Sequence, residues 1–240
     1  MADLAPVPED WNRCLAVVAH PDDLEYGSSC ALARWSSQGK TVVQVLATRG
    51  EAGIDGLEPV ECARVRTEEQ IAGAKVVGVE TVEFLDFADG SLVVGPDLRR
   101  ALARAIRRHR PDIIVTLTFR DQWSAGSAWN HVDHRALGLS VVDAVRDADN
   151  RWVFPELIEE GHEPWKGVRF VLAASSPESA HYVDVTESLD TGIASLQAHR
   201  AYIEGLGGDF DAAAFLRGMA VPTGQRAGVG AAIPFELIPT

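Results

Sequence analysis

A chain of 240 residues, 46% hydrophobic and 24% charged, is read as one globular domain over 1–240, large enough to bury a core without disulfides or a structural metal. Its net charge of −13 repels phosphate backbones and anionic lipid, which sets aside nucleic-acid and membrane partners. Cys14, Cys30 and Cys62 are an odd set without zinc-finger spacing, the N-terminus has no basic or apolar signal region, and no apolar run is long enough to span a bilayer, so the expected setting is a reducing cytoplasm.

The first apolar run, 14–19, reads as a buried parallel strand. It ends in Ala19-His20-Pro21-Asp22-Asp23, where Pro21 cannot continue a ladder and turns the chain. A helix is predicted over 28–37 with Gly39 past its end, then a strand over 42–47. A second helix over 61–77 closes at Gly78, and a strand follows over 82–85. The helix over 97–109 carries Arg99, Arg100, Arg104, Arg107 and Arg108, with Arg110 just beyond. We read these as a solvated helix face, and Pro111 as its stop. A strand over 113–117 precedes a helix over 132–148 that contains Gly138. The last apolar strand covers 168–173, and the Gly-rich stretches 205–208 and 223–232 read as loops.

Such alternation predicts an α/β fold, a Rossmann-like doubly wound, mainly parallel sheet flanked by helices. In these sheets ligands bind beyond the carboxyl ends of the strands, where strand order reverses.

Two constellations fall at such ends. His20, Asp22 and Asp23 follow the first strand; an imidazole beside a carboxylate suits zinc, and a second carboxylate is left over for proton transfer. One Asp alone reads equally well as a helix N-cap. His131-Val132-Asp133-His134 follows the strand over 113–117. If it opens a helix, its histidines at i and i+3 share a face. Alone it reads equally as surface histidines; beside the first constellation it reads as a metal site. His20, Asp23 and His134 then make three protein ligands with a fourth position for water, the pattern of a catalytic zinc. Asp22 serves as the base. His131 stabilises the oxyanion or protonates the leaving amine. Asp133 either orients an imidazole from behind or faces solvent. The same triad also suits Fe²⁺.

Ala19–Gly27, AHPDDLEYG, resembles the AHPDDE-x-x-G signature of the PIG-L/LmbE-like N-deacetylases. In the order of that family follow TRGEAG at 48–53, Arg66 with Glu69 and then Val77-Gly78, LDFADGSL at 85–92, RPDIIVT at 110–116 and HVDHRA at 131–136. VDVTESLDTGIASLQAHR at 183–200 resembles its C-terminal strand and helix. The resemblance implies an LmbE-like fold with Zn²⁺ on His20, Asp23 and His134, Asp22 as base and His131 as intermediate stabiliser. It implies a small-molecule N-acylated amino sugar as substrate, in members that act on N-acetylglucosaminyl-phosphatidylinositol, precursors of bacterial thiols, diacetylchitobiose or antibiotics. Arg66 resembles a substrate-contacting arginine, and Glu51 lies in a site-lining block; each reads equally as a structural ion-pair partner.

The chain departs from the family pattern at four places. Leu24 stands where the signature often has Glu, Val132 replaces the usual Pro, and Gly192 stands where several relatives have Lys. Trp129 takes the place of an active-site Tyr of some members and offers only an N–H donor. Trp123 is a candidate sugar platform, and His199, inside the C-terminal block that resembles the family, is a candidate for the rim of the site. Rival readings are an amidase of a thiol conjugate, a tailoring deacylase of secondary metabolism, and a non-catalytic sugar-binding protein, which would need neither Asp22 nor His131. A receiver-like module leaves His20 and the histidine pair unexplained, and no G-x-G-x-x-G follows the first strand to suit a dehydrogenase. The sequence allows a homo-oligomer and does not fix one.

Overall fold

Side chains alternate across the first long strand: Leu15 and Val17 pack into one buried cluster, and Cys14, Ala16 and Val18 into the other. A strand apolar on both faces must be covered on both faces, which is what helices do for a parallel sheet. The computed structural model describes residues 4–123, 128–207 and 210–240. The strands are β1 (Ala5–Pro6), β2 (Arg13–Val18), β3 (Thr41–Leu46), β4 (Thr81–Phe84), β5 (Ile113–Leu117), β6 (Phe170–Ala174), β7 (His181–Asp184) and β8 (Ala232–Pro239). The helices are α1 (Asp23–Gly27), α2 (Ser29–Ser37), α3 (Pro59–Val76), α4 (Pro96–His109), α5 (Val132–Asp149), α6 (Glu156–Glu159), α7 (Leu189–Leu196), α8 (Arg200–Gly205) and α9 (Ala212–Ala227).

All eight strands form one sheet in the order β1-β7-β8-β6-β5-β2-β3-β4. Pairing is parallel except that β8 runs antiparallel to both β6 and β7. From β2 the chain steps outward to β3 and β4, then returns to place β5 on the other side of β2. Strand order therefore reverses between β2 and β5, and the ends of those two strands carry the two sequence constellations.

Helices α1, α2, α7 and α9 pack on one face and α4 and α5 on the other. Each fully buried Leu or Ile in these layers contributes about 1.5–3 kcal/mol over the exposed state. Close approach is secured by glycine at two points. A Cβ on Gly138 would overlap the Phe119 ring, and one on Gly192 would overlap Cys30 Sγ. The second contact brings α7 to backbone distance of α2 and leaves no room there for a lysine.

Two expectations are corrected. The stretch 223–232 is a loop only over 228–231: α9 runs through Pro222 to Ala227, and Ala232 begins β8. Gly205 closes α8, and residue 208 lies outside the described residues. Four arginines of α4 are part-exposed, as a solvated face requires, but are also tied to neighbouring elements, and Arg107 is buried. Arg99 meets Asp147 at 2.8 Å, Arg100 meets Glu156 at 2.7 Å, Arg104 meets Glu160 at 2.7 Å, and Arg108 meets Glu83 at 3.0 Å. Arg107 is 1% exposed and donates to the carbonyls of Asp147, Ala148 and Asn150, which end α5. Among the described residues no helix is long and apolar enough to cross a membrane.

Candidate metal centre

Beyond β2 the chain turns at Pro21, and Asp22 adopts a left-handed backbone with φ 87°. That turn folds Asp23 back under the strand end, where its Oδ2 accepts the N–H groups of Ala19 at 3.1 Å and His20 at 2.9 Å. Asp23 is therefore no ordinary helix cap. Its other oxygen, Oδ1, lies 3.1 Å from His134 Nε2.

Beyond β5 the chain is held by Asn130, whose Nδ2 donates to the carbonyls of Thr118 at 2.7 Å and Arg120 at 3.0 Å. Asn130 Oδ1 accepts the His131 N–H and lies 3.0 Å from His134 Nδ1. His131 then caps α5, its Nδ1 accepting the Asp133 N–H at 3.2 Å. The three imidazoles stand with ring centroids 5.1–5.3 Å apart.

Hydrogen bonding at the outer nitrogens assigns the tautomers. His20 Nε2 faces Asp89 Oδ1 at 2.9 Å and Asp133 Oδ2 at 3.2 Å, so it carries the proton and Nδ1 presents its lone pair. His134 Nδ1 faces an amide oxygen, so its Nε2 presents the lone pair. These two nitrogens are 3.2 Å apart, and His20 Nδ1 is 3.5 Å from Asp23 Oδ2. Ligands held at about 2.0–2.1 Å around a tetrahedral zinc are about 3.4 Å from one another. The donor set fits such an ion. Ring nitrogens of His20, His131 and His134 also come within 4.8 Å of each other, as do donors of His20, Asp89 and Asp133. Neither group fits as well. His131 Nδ1 is already an acceptor, so its neutral ring keeps a proton on Nε2, and Asp89 and Asp133 sit on the protonated side of His20.

Electrostatics follow from the same contacts. Burial pushes the Asp22 carboxyl up to about 7, with repulsion from Asp23 adding to it and Arg66 opposing it. Burial also penalises the Asp23 charge, but His134 and His20 hold it well below the carboxylate range. Burial likewise opposes charge on His20, yet Asp23, Asp133 and Asp89 raise its pKa well above the ordinary imidazole value. A carboxylate-rich shell that stabilises positive charge on His20 also favours a cation beside it. His131 is lowered, first by burial and then by repulsion from His20 and His134.

These groups line a pocket of about 250 Å³, with Ala52, Arg66, Asp89 and Tyr202 among its walls. A larger cleft of about 400 Å³ lies among α2, α3 and α7; its lining includes one carboxylate, Glu187, and no histidine. Of the substrate contacts expected from sequence, Arg66 reaches the pocket and lies 3.0 Å from Asp22 Oδ2. Glu51 and Trp129 are not in its lining. Glu51 Oε1 accepts the Asp89 N–H at 2.8 Å, and Trp129 is 63% exposed beside Arg135. Trp123 meets His134 edge-on at 5.4 Å. His199 is not at the rim: it is fully buried, 3.6 Å from Glu25 Oε2.

Residues 15–145 match the family model for PIG-L, GlcNAc-PI de-N-acetylase. The chain belongs to the PIG-L family. The diacetylchitobiose deacetylase of Thermococcus kodakarensis is 26% identical over 194 residues, which cover 80% of this chain and 70% of that protein. The 1D-myo-inositol 2-acetamido-2-deoxy-alpha-D-glucopyranoside deacetylase of Kineococcus radiotolerans is 28% identical, covering 80% of this chain and 69% of its own length. The crystal structure of N,N'-diacetylchitobiose deacetylase from Pyrococcus horikoshii superposes with a TM-score of 0.84 at 24% identity, over 96% of this chain and 85% of that one. That likeness establishes the α/β fold. Within this PIG-L protein the sequence reading passed over Asn130, Asp89 and Tyr202. Asp89 lay inside a quoted block, and its signal was the D-G turn that brings a carboxylate back to the sheet edge.

Proposed function

We propose that this PIG-L protein hydrolyses the N-acyl amide, above all the N-acetyl amide, of an amino-sugar substrate, releasing acetate and a free amine. Zn²⁺ would be held by His20 Nδ1, Asp23 and His134 Nε2; Fe²⁺ suits the same triad. What carries the reading is the pairing of outer nitrogens. His20 donates to Asp89 and Asp133, and His134 donates to Asn130, so two lone pairs and a carboxylate oxygen face one point.

When bound, the ion supplies Lewis acidity to the amide carbonyl and the attacking water. Asp22 does not join the ligand set. Its carboxylate, with a proton affinity lifted to about 7, takes the proton from the attacking water at neutral pH. His131 lines the same pocket with its Nε2 protonated, and donates to the oxygen that gains charge as the carbonyl carbon becomes tetrahedral. Asp133 and Asp89 fix the ring of His20. A pocket of about 250 Å³ admits one sugar ring and its acyl group and leaves the rest of a larger substrate at the mouth.

The test is amine release from a panel of N-acetylglucosaminides by metal-stripped protein, with and without added Zn²⁺ or Fe²⁺. Metal-dependent release is expected. A fully loaded protein that releases no amine from any member would overturn the reading.

A further inference from the structure

The buried stripe of α3 carries two polar residues, Arg66 and Gln70, among the small residues Cys62, Gly73 and Ala74. Cys62, Arg66, Gln70 and Gly73 recur along it at helical spacing and are all buried. Arg66 and Gln70, four residues apart, point at one target. Arg66 Nη2 meets the Asp22 carboxylate at 3.0 Å, and Gln70 Oε1 accepts the Asp22 N–H at 2.9 Å.

The orientation of the Gln70 amide is determined by its surroundings. Its Nε2 donates to Gln44 Oε1 at 3.0 Å and Glu25 Oε1 at 3.3 Å, both acceptors, so Oε1 must face the Asp22 N–H. Gln44, Glu25 and Gln70 are all fully buried. Gln44 interrupts the apolar run of β3, and its own Nε2 has no partner among the described residues. Polar groups are costly at such depth, and Gln44 and Glu25 both hold Gln70, which alone meets the Asp22 backbone amide. That amide belongs to a non-glycine residue with φ 87°, a conformation that persists only where its surroundings hold it.

We propose that Gln70 is a positioning residue for Asp22: it clamps the left-handed turn that separates the Asp22 carboxylate from the ligand Asp23. The role in turnover rests on the deacylase reading with Asp22 as base. Without the clamp, the turn relaxes toward ordinary backbone angles and the base loses its aim, while His20, Asp23 and His134, none of whose side chains hydrogen-bonds Gln70, keep their arrangement.

The experiment has two independent readouts. The first is hydrogen exchange at the Asp22 amide, which needs no activity. Gln70→Met, close in length but without hydrogen-bonding groups, is expected to speed exchange there by about tenfold or more, the loss of one buried hydrogen bond. Unchanged exchange overturns the clamp whatever the protein catalyses. The second is a kinetic cycle with Asp22→Ala. Gln70→Met is expected to lower kcat about 10–100-fold with KM and metal content near wild type, and to cost less than about twofold in the Asp22→Ala background. An equal loss in both backgrounds would mean a general structural role and overturn the proposal. If Gln70→Met fails to fold, Gln70→Ala is put through the same two measurements, and unchanged exchange at the Asp22 amide or an equal kcat loss in both backgrounds overturns it. Should wild type release no amine while Asp22 exchange still depends on Gln70, the deacylase reading fails and the clamp stands.

Discussion

Arg66 Nη2 lies 3.0 Å from Asp22 Oδ2, with both side chains buried, and the same guanidinium donates to the carbonyls of Pro21 and Gly50. Arg66 is thus a partner of Asp22, the proposed base, more than a free hand for substrate. It is also the attraction that opposes the burial of Asp22. Removing the cation leaves only the weaker attractions of His199 and His20 against burial and Asp23, so the Asp22 pKa rises further above about 7. Arg66→Met is therefore expected to move the acidic limb of kcat/KM to higher pH by about one unit or more. It should also cost about 3–5 kcal/mol of stability at alkaline pH, where the buried carboxylate stays charged without its partner, and less near neutrality, where it is protonated. A pH–rate profile and urea unfolding check the two parts; an unmoved acidic limb would separate Arg66 from the base.

His131 has two separable jobs. It caps α5 through Nδ1, and it lines the pocket with Nε2. His131→Asn keeps a short acceptor for the cap and removes the ring donor; His131→Ala removes both. Both variants are expected to lose about 10²–10³ in kcat and to keep their metal. Only the alanine variant should lose about 1 kcal/mol of stability. Parallel unfolding curves and rates decide it, and an asparagine variant with wild-type turnover would exclude His131 from the chemistry.

Of the five apolar runs that became β2 to β6, β2, β3, β5 and β6 were legible because they are buried on both faces, whereas β4, at the sheet edge, is exposed or half-buried along its length. The clustering of His20, Asp23 and His134 was legible because two short motifs follow two of these runs. What stayed hidden depended on tertiary contact. Pro234 and Pro239 argue against a ladder strand, yet β8 lies between β6 and β7, with Pro234 opposite Tyr182 and Pro239 opposite Phe170. The glycines near the end of α9 read as a loop, but a Cβ on Gly224 would overlap the backbone of Ala231, so close packing selected glycine inside a helix. Asn130 and Asp89 reach the site through loops, and their residue types alone do not tell a ligand orienter from a turn former.

Asn130 leads to a sharper test of the metal set. Asn130→Ala removes the acceptor that fixes the His134 tautomer and frees the loop tied to Thr118 and Arg120. Metal affinity is expected to fall about 10–100-fold. Asp22→Ala should keep its metal and lose most turnover, whereas His134→Ala should lose both. Metal content after dialysis against a graded chelator ranks the three variants. Full metal loss from Asp22→Ala would place Asp22 among the ligands.

His199 lies fully buried between Gly73, where a Cβ would stand 3.2 Å from its Nε2, and Glu25, whose Oε2 is 3.6 Å away. That separation is an ion pair slightly longer than a hydrogen bond. Burial works against the charged ring, but Glu25, with Asp22 and Glu69 further out, raises its pKa above the ordinary value of 6.5. A group whose folded pKa is raised binds its proton more tightly in the native state. Its contribution is complete below the unfolded value of about 6.5 and disappears as pH climbs through the raised folded value. The stability difference between wild type and His199→Gln, a neutral side chain of similar reach, should accordingly be largest near pH 6 and shrink toward pH 9. Urea unfolding of the two proteins across that range measures it. A difference that grows with pH would mean that His199 is buried neutral, and that Glu25 is balanced by another group.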